Sequence, residues 1–212
     1  MKWILRVHRR DPTRKDPLLM VDAALLLRQP IHFLKIDVEG FELQALESAT
    51  KLFQEGLVEH AVLEFGPPNR WDVTIENPDV SQAEIRKTTI THAKKILHRV
   101  VTEWDMDIYL LPALGWERTV KWMLDRNVNF NTKPTGNKIV HHLKSWDFDG
   151  KPQEKDEFEI ELDGKKQLVT EVIPLREDLI DEYMEDMESI GEMYLWFAKR
   201  TGNSAVLKKL EI

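Results

Sequence analysis

The sequence of 212 residues contains no cysteine at all. This absence excludes a disulfide framework, a thiolate metal site and a cysteine nucleophile. Long hydrophobic runs are also missing, and the apolar start of the chain is interrupted by Arg6. That start is too short for a signal-peptide core or a membrane span. We therefore expect no membrane span, and the compartment stays undetermined, with the cytoplasm as the default.

Positive charge is in short supply too, because the formal net charge is −7. Residues 151–212 hold 9 Lys or Arg against 16 Asp or Glu, whereas residues 1–150 hold 21 of each sign. Only the first 30 residues are mildly basic, which is too little for a nucleic-acid surface. We therefore expect no nucleic-acid partner. The length and the 42% hydrophobic content fit one domain with a full core, or a domain with an appendage.

The middle of the chain alternates predicted strands and helices. Apolar runs at 31–39, 58–68 and 106–113 read as strands, and the second is stopped by glycine and two prolines. Helical periodicity occupies 41–56 and 82–103, the latter preceded by the capping pair Ser81 and Glu84. Short links between such elements predict parallel crossovers and an α/β sheet.

The flanking regions are predicted with less regular patterns. Before the middle segment we expect a strand at 2–7, a loop at 9–17 and a short helix at 20–29 that ends at Pro30. Residues 69–80 read as a loop and 115–126 as a helix. Later come a hairpin over 158–173, turning at Asp163-Gly164, a helix at 177–191 and a final strand at 192–200.

Charges interrupt the strand at 31–39 in an unusual way. Lys35, Asp37 and Glu39 occupy every second position, so they are expected on one side, and Glu64 ends the next strand. Burying such charges unpaired costs several kcal/mol each, so they must pair or border a solvated cleft. Ligands of open α/β sheets bind beyond the carboxyl ends of the strands. A structural Lys35–Asp37 pair, with Glu39 capping the next helix, is the alternative.

The stretch FLKIDVEGFELQALESATKLF, followed by a strand that ends in LEF, closely resembles the FkbM family of S-adenosylmethionine-dependent methyltransferases. The family's hallmark is Lys-x-Asp-x-Glu-Gly-x-Glu, then a helix rich in leucine and small residues, then a strand that ends in glutamate. The matching positions are Lys35, Asp37, Glu39, Gly40, Glu42, Leu46, Ala49 and Glu64. The resemblance covers roughly residues 20–112 and 190–200.

This resemblance implies a Rossmann-like class I methyltransferase sheet with helices on both faces and S-adenosylmethionine as the methyl donor. It further implies methyl transfer to a hydroxyl of a small molecule, glycan or lipid. The implied roles are catalytic for Asp37 and Glu39, cofactor-binding for Asp37 and Gly40, and substrate-contacting or supporting for Lys35, Glu42 and Glu64. No metal ligand is implied, although Asp37, Glu39 and Glu64 carry the hard oxygens that Mg²⁺ prefers.

The sequence departs from the family where the cofactor should be held. A Rossmann-like methyltransferase carries a glycine-rich loop and an acidic ribose ligand upstream of this strand, yet residues 1–39 contain no glycine, and no Gly-x-Gly occurs anywhere. We therefore expect the carboxyl-terminal half of such a domain, lacking its first strands. Within 1–212 as a single partial domain, 20–112 is the best-matched core, 113–190 a variable insertion and 190–200 the closing strand.

Two functional hypotheses follow. The chain is an enzyme whose cofactor-binding half lies elsewhere, or a degenerate half that acts as a non-catalytic interaction module. The first predicts that the missing half exists in the native gene or in a partner. The second predicts no cofactor affinity and a large apolar patch where the missing strands would pack, which would drive formation of a homo-oligomer or aggregation.

Other residues have weaker claims. His141-His142, with Asp147 and Asp149, could suggest a metal site, but adjacent histidines point apart and a surface pair is favoured. His92 and His98 do not share a helix face, so we interpret them as structural. The tryptophans could form a sugar or cofactor platform, but packing is the favoured interpretation for Trp104, Trp116, Trp122 and Trp146.

Overall fold

The computed structural model describes residues 30–72, 79–111, 116–128 and 172–200, together with the backbone of short strands elsewhere. By internal contacts, the chain divides into two compact units. The first comprises residues 1–110 and 174–212, and the second comprises residues 111–173. The predicted loop at 9–17 and helix at 20–29 lie outside the described residues, as do His141-His142, Asp147, Asp149 and the turn at Asp163-Gly164.

The strands run in chain order as follows: β1 Ile4–His8, β2 Ile31–Asp37, β3 Val58–Phe65, β4 Met106–Leu111, β5 Lys133–Pro134, β6 Leu143–Trp146, β7 Pro152–Lys155, β8 Glu159–Leu162, β9 Lys165–Leu168, β10 Ile173–Pro174 and β11 Met193–Lys199. The helices are α1 Glu42–Ser48, α2 Thr50–Gln54, α3 Pro68–Asp72, α4 Gln82–Thr102, α5 Trp116–Asp125 and α6 Ile180–Ile190. A 3₁₀ turn, Glu177–Leu179, leads into α6.

The main sheet has the order β1-β2-β3-β11-β4-β10. β1 and β2 are parallel, and so are β2 and β3. β11 returns antiparallel to β3, pairing Met193 with Phe65. This mixed open sheet with helices confirms the predicted α/β class and is consistent with a Rossmann-like methyltransferase fold. It also confirms the closing strand predicted at the end of the described chain.

Two local predictions were wrong. The single helix expected at 41–56 is instead two helices, α1 and α2. Ala49, with φ of −85° and ψ of −1°, is the C-cap of the first and the N-cap of the second. The loop expected at 69–80 starts with the short helix α3, because Pro68 suits a first helical turn and Trp71 is completely buried.

One face of the main sheet carries the core. Leu34, Ile36, Leu63, Phe65 and Phe197 point to it and are almost fully buried. The aromatic rings of α2 and α3 pack on this face. Phe53 meets Phe197 with ring centroids 6.5 Å apart, and Trp71 meets Phe65 at 4.8 Å. Because side chains alternate along a strand, Lys35, Asp37 and Glu64 lie on the opposite face.

Tryptophans serve as packing residues wherever their side chains are described here. Trp104 is buried and stacks on Phe53 with ring centroids 4.5 Å apart. Trp116 and Trp122 are buried too, within the second unit, where Arg126 lies 3.6 Å above the Trp122 ring. The packing interpretation is confirmed for these three.

The second unit contains α5 and small antiparallel sheets. β8 and β9 pair with Leu162 opposite Lys165, which confirms the predicted hairpin. β5 adds to β9, and β6 pairs with β7. The β6–β7 pair was not foreseen, because its sequence lacks clear alternation.

The cap of α4 gives a first testable prediction. The Ser81 hydroxyl accepts from the Glu84 amide at 3.3 Å, and Glu84 Oε2 accepts from the Ser81 amide at 3.3 Å. We expect Ser81→Ala to lower the free energy of unfolding by about 1 kcal/mol, measured by urea denaturation. Ser48→Ala, which removes an exposed hydroxyl from α1, is the control and should change little. Equal losses in the two variants would contradict the capping role.

No helix in the described part of the chain has the length and hydrophobicity needed to cross a bilayer.

Candidate active site

Three polar side chains form a row across adjacent strands. Ile36 of β2 pairs with Leu63 of β3, so the next positions, Asp37 and Glu64, are neighbours at the carboxyl ends of the two strands. Across the antiparallel pair, Glu64 lies directly opposite Tyr194 of β11. Period-two alternation puts all three on the face opposite the core. The structure therefore brings Asp37 and Glu64 together and adds a tyrosine to them.

Lys35 and Asp37 form an ion pair on β2. Lys35 Nζ lies 2.8 Å from Asp37 Oδ2, and the side chains are 38% and 26% exposed. A half-exposed pair of this kind contributes roughly 0–1 kcal/mol to stability. The structural pair and the solvated border considered from the sequence are thus both present, and neither charge is buried alone.

Glu39 is not where the sequence pattern predicted it. β2 ends at Asp37, and Glu39 is exposed in the following turn with φ of +32°. It leaves the strand because the chain turns sharply before Gly40. It does not cap α1 either, since the N-cap residue is Phe41, which makes no side-chain capping bond. Only Lys35 and Asp37 share the expected strand face; the catalytic role of Glu39 stays a prediction.

Gly40 and Glu42 tie the turn to α3. The Gly40 amide donates to Glu42 Oε1 at 2.8 Å, and Trp71 Nε1 donates to Glu42 Oε2 at 2.8 Å. Glu42 has no exposed surface. A Cβ atom on Gly40 would lie 2.7 Å from the Arg70 carbonyl oxygen. Both residues thus have a structural role, and their predicted cofactor and substrate contacts remain predictions.

The close approach at Gly40 gives a second prediction. Gly40 has φ of +91°, and the alanine Cβ would lie 2.7 Å from the Arg70 carbonyl oxygen. Gly40→Ala should therefore strain the turn and displace α3. We expect a loss of roughly 1–3 kcal/mol in the free energy of unfolding. Gly56→Ala is the matched control, because its φ is also positive (+66°) but the crowding atom is the flexible end of Lys199. An equal or smaller loss at Gly40 than at Gly56 would contradict the close-packing argument.

Arg70 joins the row from α3, and the sequence patterns did not single it out. Its Nη1 donates to Glu64 Oε1 at 2.5 Å, and its Nη2 donates to Glu192 Oε2 at 2.5 Å. The Tyr194 hydroxyl donates to the second Glu64 oxygen at 3.2 Å. Glu192 and Tyr194 were missed with it. The sequence holds one signal for Glu192 and Tyr194. They are two residues apart at the start of the closing strand, a spacing that puts two side chains on the same face.

Burial and like charges shift two groups in this cluster. Burial, followed by the charges of Glu64 and Glu192, raises the pKa of Tyr194 to about 12, so its hydroxyl keeps its proton. Burial and then the charge of Glu64 raise the pKa of Glu192 above the usual glutamate value. The hydrogen bond to Glu64 raises the pKa of Arg70, so its charge is permanent. The cluster holds carboxylates close together around one fixed cation.

The other histidines considered from the sequence lie away from this row. His92 Nε2 is 2.9 Å from Glu47 Oε1, and His98 Nε2 is 2.9 Å from Asp181 Oδ1. Within the described ranges, no group of three or more histidine or carboxylate side chains is arranged to hold a metal ion.

The strand, turn and helix that carry this row are matched by a known family. Residues 14–95 match the methyltransferase FkbM domain. The FkbM resemblance seen in the motif from Lys35 to Glu42 is thereby confirmed, and a methyltransferase family is indicated. The FkbM segment includes β2, α1, α2, β3 and α3, and it ends within α4. No curated protein and no solved structure matches the chain.

The FkbM segment can be tested against the methyl donor that such a family implies. Asp37 and Glu64 are half-buried carboxylates at the strand ends, and their chemistry suits the positive sulfonium end of S-adenosylmethionine. Asp37 would hold that end, and Glu64 lies beside it. For the adenosyl end, the sequence offers no glycine before Gly40 to form a close-fitting loop. The residues present fit the reacting end of the donor.

Proposed function

We propose that this protein transfers a methyl group from S-adenosylmethionine to a hydroxyl oxygen of a small molecule, glycan or lipid. One observation carries the proposal. The FkbM match covers the strand, turn and helix around Asp37. Asp37 lies at the carboxyl end of β2, in the same row as Glu64 and Tyr194. Open α/β sheets bind their ligands beyond the carboxyl ends of their strands.

Methyl transfer requires that the donor is positioned, that the acceptor oxygen is aligned and that its proton is removed. The donor supplies an electrophilic methyl group on a positive sulphur. Asp37, held by Lys35, favours that positive charge and fixes its position. The acceptor oxygen must be aligned behind the methyl group, and its proton must pass to a base. Glu39 and Glu64 are the candidate bases nearest to Asp37 in the chain and in the sheet, respectively.

Calorimetric titration with S-adenosylmethionine and S-adenosylhomocysteine tests the cofactor proposal directly. We expect micromolar binding and a higher melting temperature in the presence of either compound, because a ligand that binds only the folded state stabilises it. Transfer of a labelled methyl group to hydroxyl acceptors, supplied as sugars, lipids and small alcohols, then tests the reaction. Binding without transfer to any hydroxyl would refute O-methylation and leave the cofactor proposal standing.

The non-catalytic alternative rests on a specific feature of the sequence. With no glycine in residues 1–39, the loop that would grip the adenosyl group is not evident in this chain. On that alternative, folded protein would bind neither compound. It would instead associate with a second copy or with a chain that supplies the first strands, which light scattering after gel filtration would detect.

A further inference from the structure

We propose that Glu64 and Glu192 act as one carboxylate pair that receives the proton of the acceptor hydroxyl and holds it between the two carboxyl groups. This inference rests on the proposed methyl transfer and names the base for it. Arg70 and Tyr194 are the positioning residues of the pair.

Arg70 bridges the two carboxyl groups of the pair. One guanidinium, that of Arg70, donates at 2.5 Å to Glu64 through Nη1 and at 2.5 Å to Glu192 through Nη2. Such a planar fork fixes the two carboxyl groups relative to each other. Tyr194 holds the second oxygen of Glu64 from the neighbouring strand at 3.2 Å. Glu64 is therefore held from two elements, α3 and β11, and Glu192 is held by Arg70.

The charges around the pair favour shared protonation. Asp37 and Lys35 of β2 form their own pair beside Glu64, and Arg70 is the cation that faces both glutamates. Two carboxylates held close together repel each other, so one of them takes up a proton at a higher pH than an isolated glutamate does; the charge of Arg70 opposes this shift without cancelling it. The pKa of Glu192 is raised by burial and by Glu64, in agreement with this geometry. Bases work best when their pKa lies close to the working pH.

The proton transfer balances as follows. The acceptor O–H bond breaks and its proton passes to the glutamate pair. The oxygen's electron pair forms the new O–CH₃ bond while the bond from methyl to the sulfonium sulphur breaks and leaves a neutral thioether. The pair then carries one extra proton. It can release this proton to water, since Glu192 is 30% exposed. Glu39 lies off the row, in the exposed turn that follows β2.

Nuclear magnetic resonance tests the pair without any need for activity. In protein labelled with ¹³C at the glutamate carboxyl carbons, we expect one resonance to titrate clearly above the ordinary value of about 4.3. That titration should vanish in Glu192→Gln, and in Glu64→Gln the Glu192 resonance should titrate at lower pH than in the wild type. Glu188→Gln, which neutralises an exposed glutamate paired with Arg86, should leave it unchanged. An ordinary titration for every glutamate would overturn the proposal.

Kinetics supply the second test. The rate of methyl transfer should rise with pH through the pKa of the pair, because the pair must be able to accept a proton. We expect Glu192→Gln to lower kcat by roughly 10²-fold and to move this limb to lower pH, while donor binding by calorimetry is unchanged. Glu192→Asp, which keeps a carboxylate, should restore the limb even if Glu192→Gln folds poorly.

The outcomes separate the two proposals. Full activity with an unchanged pH limb in Glu192→Gln would overturn the base assignment and leave methyl transfer intact. A wild-type protein that binds no donor would overturn methyl transfer, whereas the carboxyl titration would still show whether the shared-proton pair exists.

Discussion

Replacing Asp37 by asparagine should reduce methyl transfer by roughly 10²-fold or more while leaving the fold intact. The change removes one negative charge at the carboxyl end of β2 and keeps the shape of the side chain. Asp37 is only half-buried, and it pairs with Lys35 at 2.8 Å. The stability cost should therefore be small, about 1 kcal/mol or less. The rate constant of transfer and the urea midpoint, measured on the same preparation, check the two halves of this expectation.

Glu39→Gln is the natural comparison for Asp37→Asn. It removes the same charge two residues later, but from an exposed turn that is off the strand face. If position in the row matters, Glu39→Gln should lower the transfer rate far less than Asp37→Asn does. Full activity in Asp37→Asn, or an equal loss in the two variants, would show that the strand-end geometry has been misread.

Much of the central fold was predictable from local patterns. β2 is a largely apolar run that ends in Asp37, β3 is one that carries Glu64 next to its last residue, and α4 begins at a capping box. Such signals depend on residues that are close in sequence, and the structure retains them. The turn at Gly40 was located correctly, but the backbone conformation that takes Glu39 off the face was not. Turn geometry depends on what the turn packs against, here the backbone of Arg70.

The rest of the candidate site could not be predicted because its partners are far apart in the chain. Glu192 and Tyr194 come to Glu64 through the antiparallel return of β11, across more than half of the sequence. Arg70 sits in a segment rich in proline and asparagine that reads as a loop. A sequence pattern shows which residues can carry charge, whereas the order of strands decides which charges meet.

The row also explains how one motif can serve two purposes. Different residues of the segment from Lys35 to Glu42 face solvent or the core, and their roles differ accordingly. Lys35 and Asp37 face the half-exposed side, whereas Glu42 is completely buried beneath Trp71. The family motif therefore combines a half-exposed strand end with internal hydrogen bonds that hold the following turn in place. This division means that substitutions within the motif should separate into losses of activity and losses of stability.

Glu42→Leu should show the stability side most strongly. Both Glu42 oxygens accept buried hydrogen bonds at 2.8 Å, one from the Gly40 amide and one from Trp71 Nε1. Leucine fits a buried site but accepts neither bond, so two buried donors lose their partner. At about 1–3 kcal/mol for each unsatisfied group, we expect the free energy of unfolding to fall by roughly 2–6 kcal/mol. Glu47→Leu, at an exposed position of the same helix, should change it by about 0.5 kcal/mol or less.

A double-mutant cycle with Trp71→Phe shows whether the hydrogen bonds are responsible. Phenylalanine removes the indole donor, so one of the two orphaned groups no longer exists in the double variant. The combined loss should then be smaller than the sum of the single losses by roughly 0.5–3 kcal/mol, measured by urea denaturation. Strict additivity would mean that the hydrogen bond from Trp71 to Glu42 contributes nothing to stability. In that case the buried carboxylate would not be what holds the turn carrying Asp37 against α3.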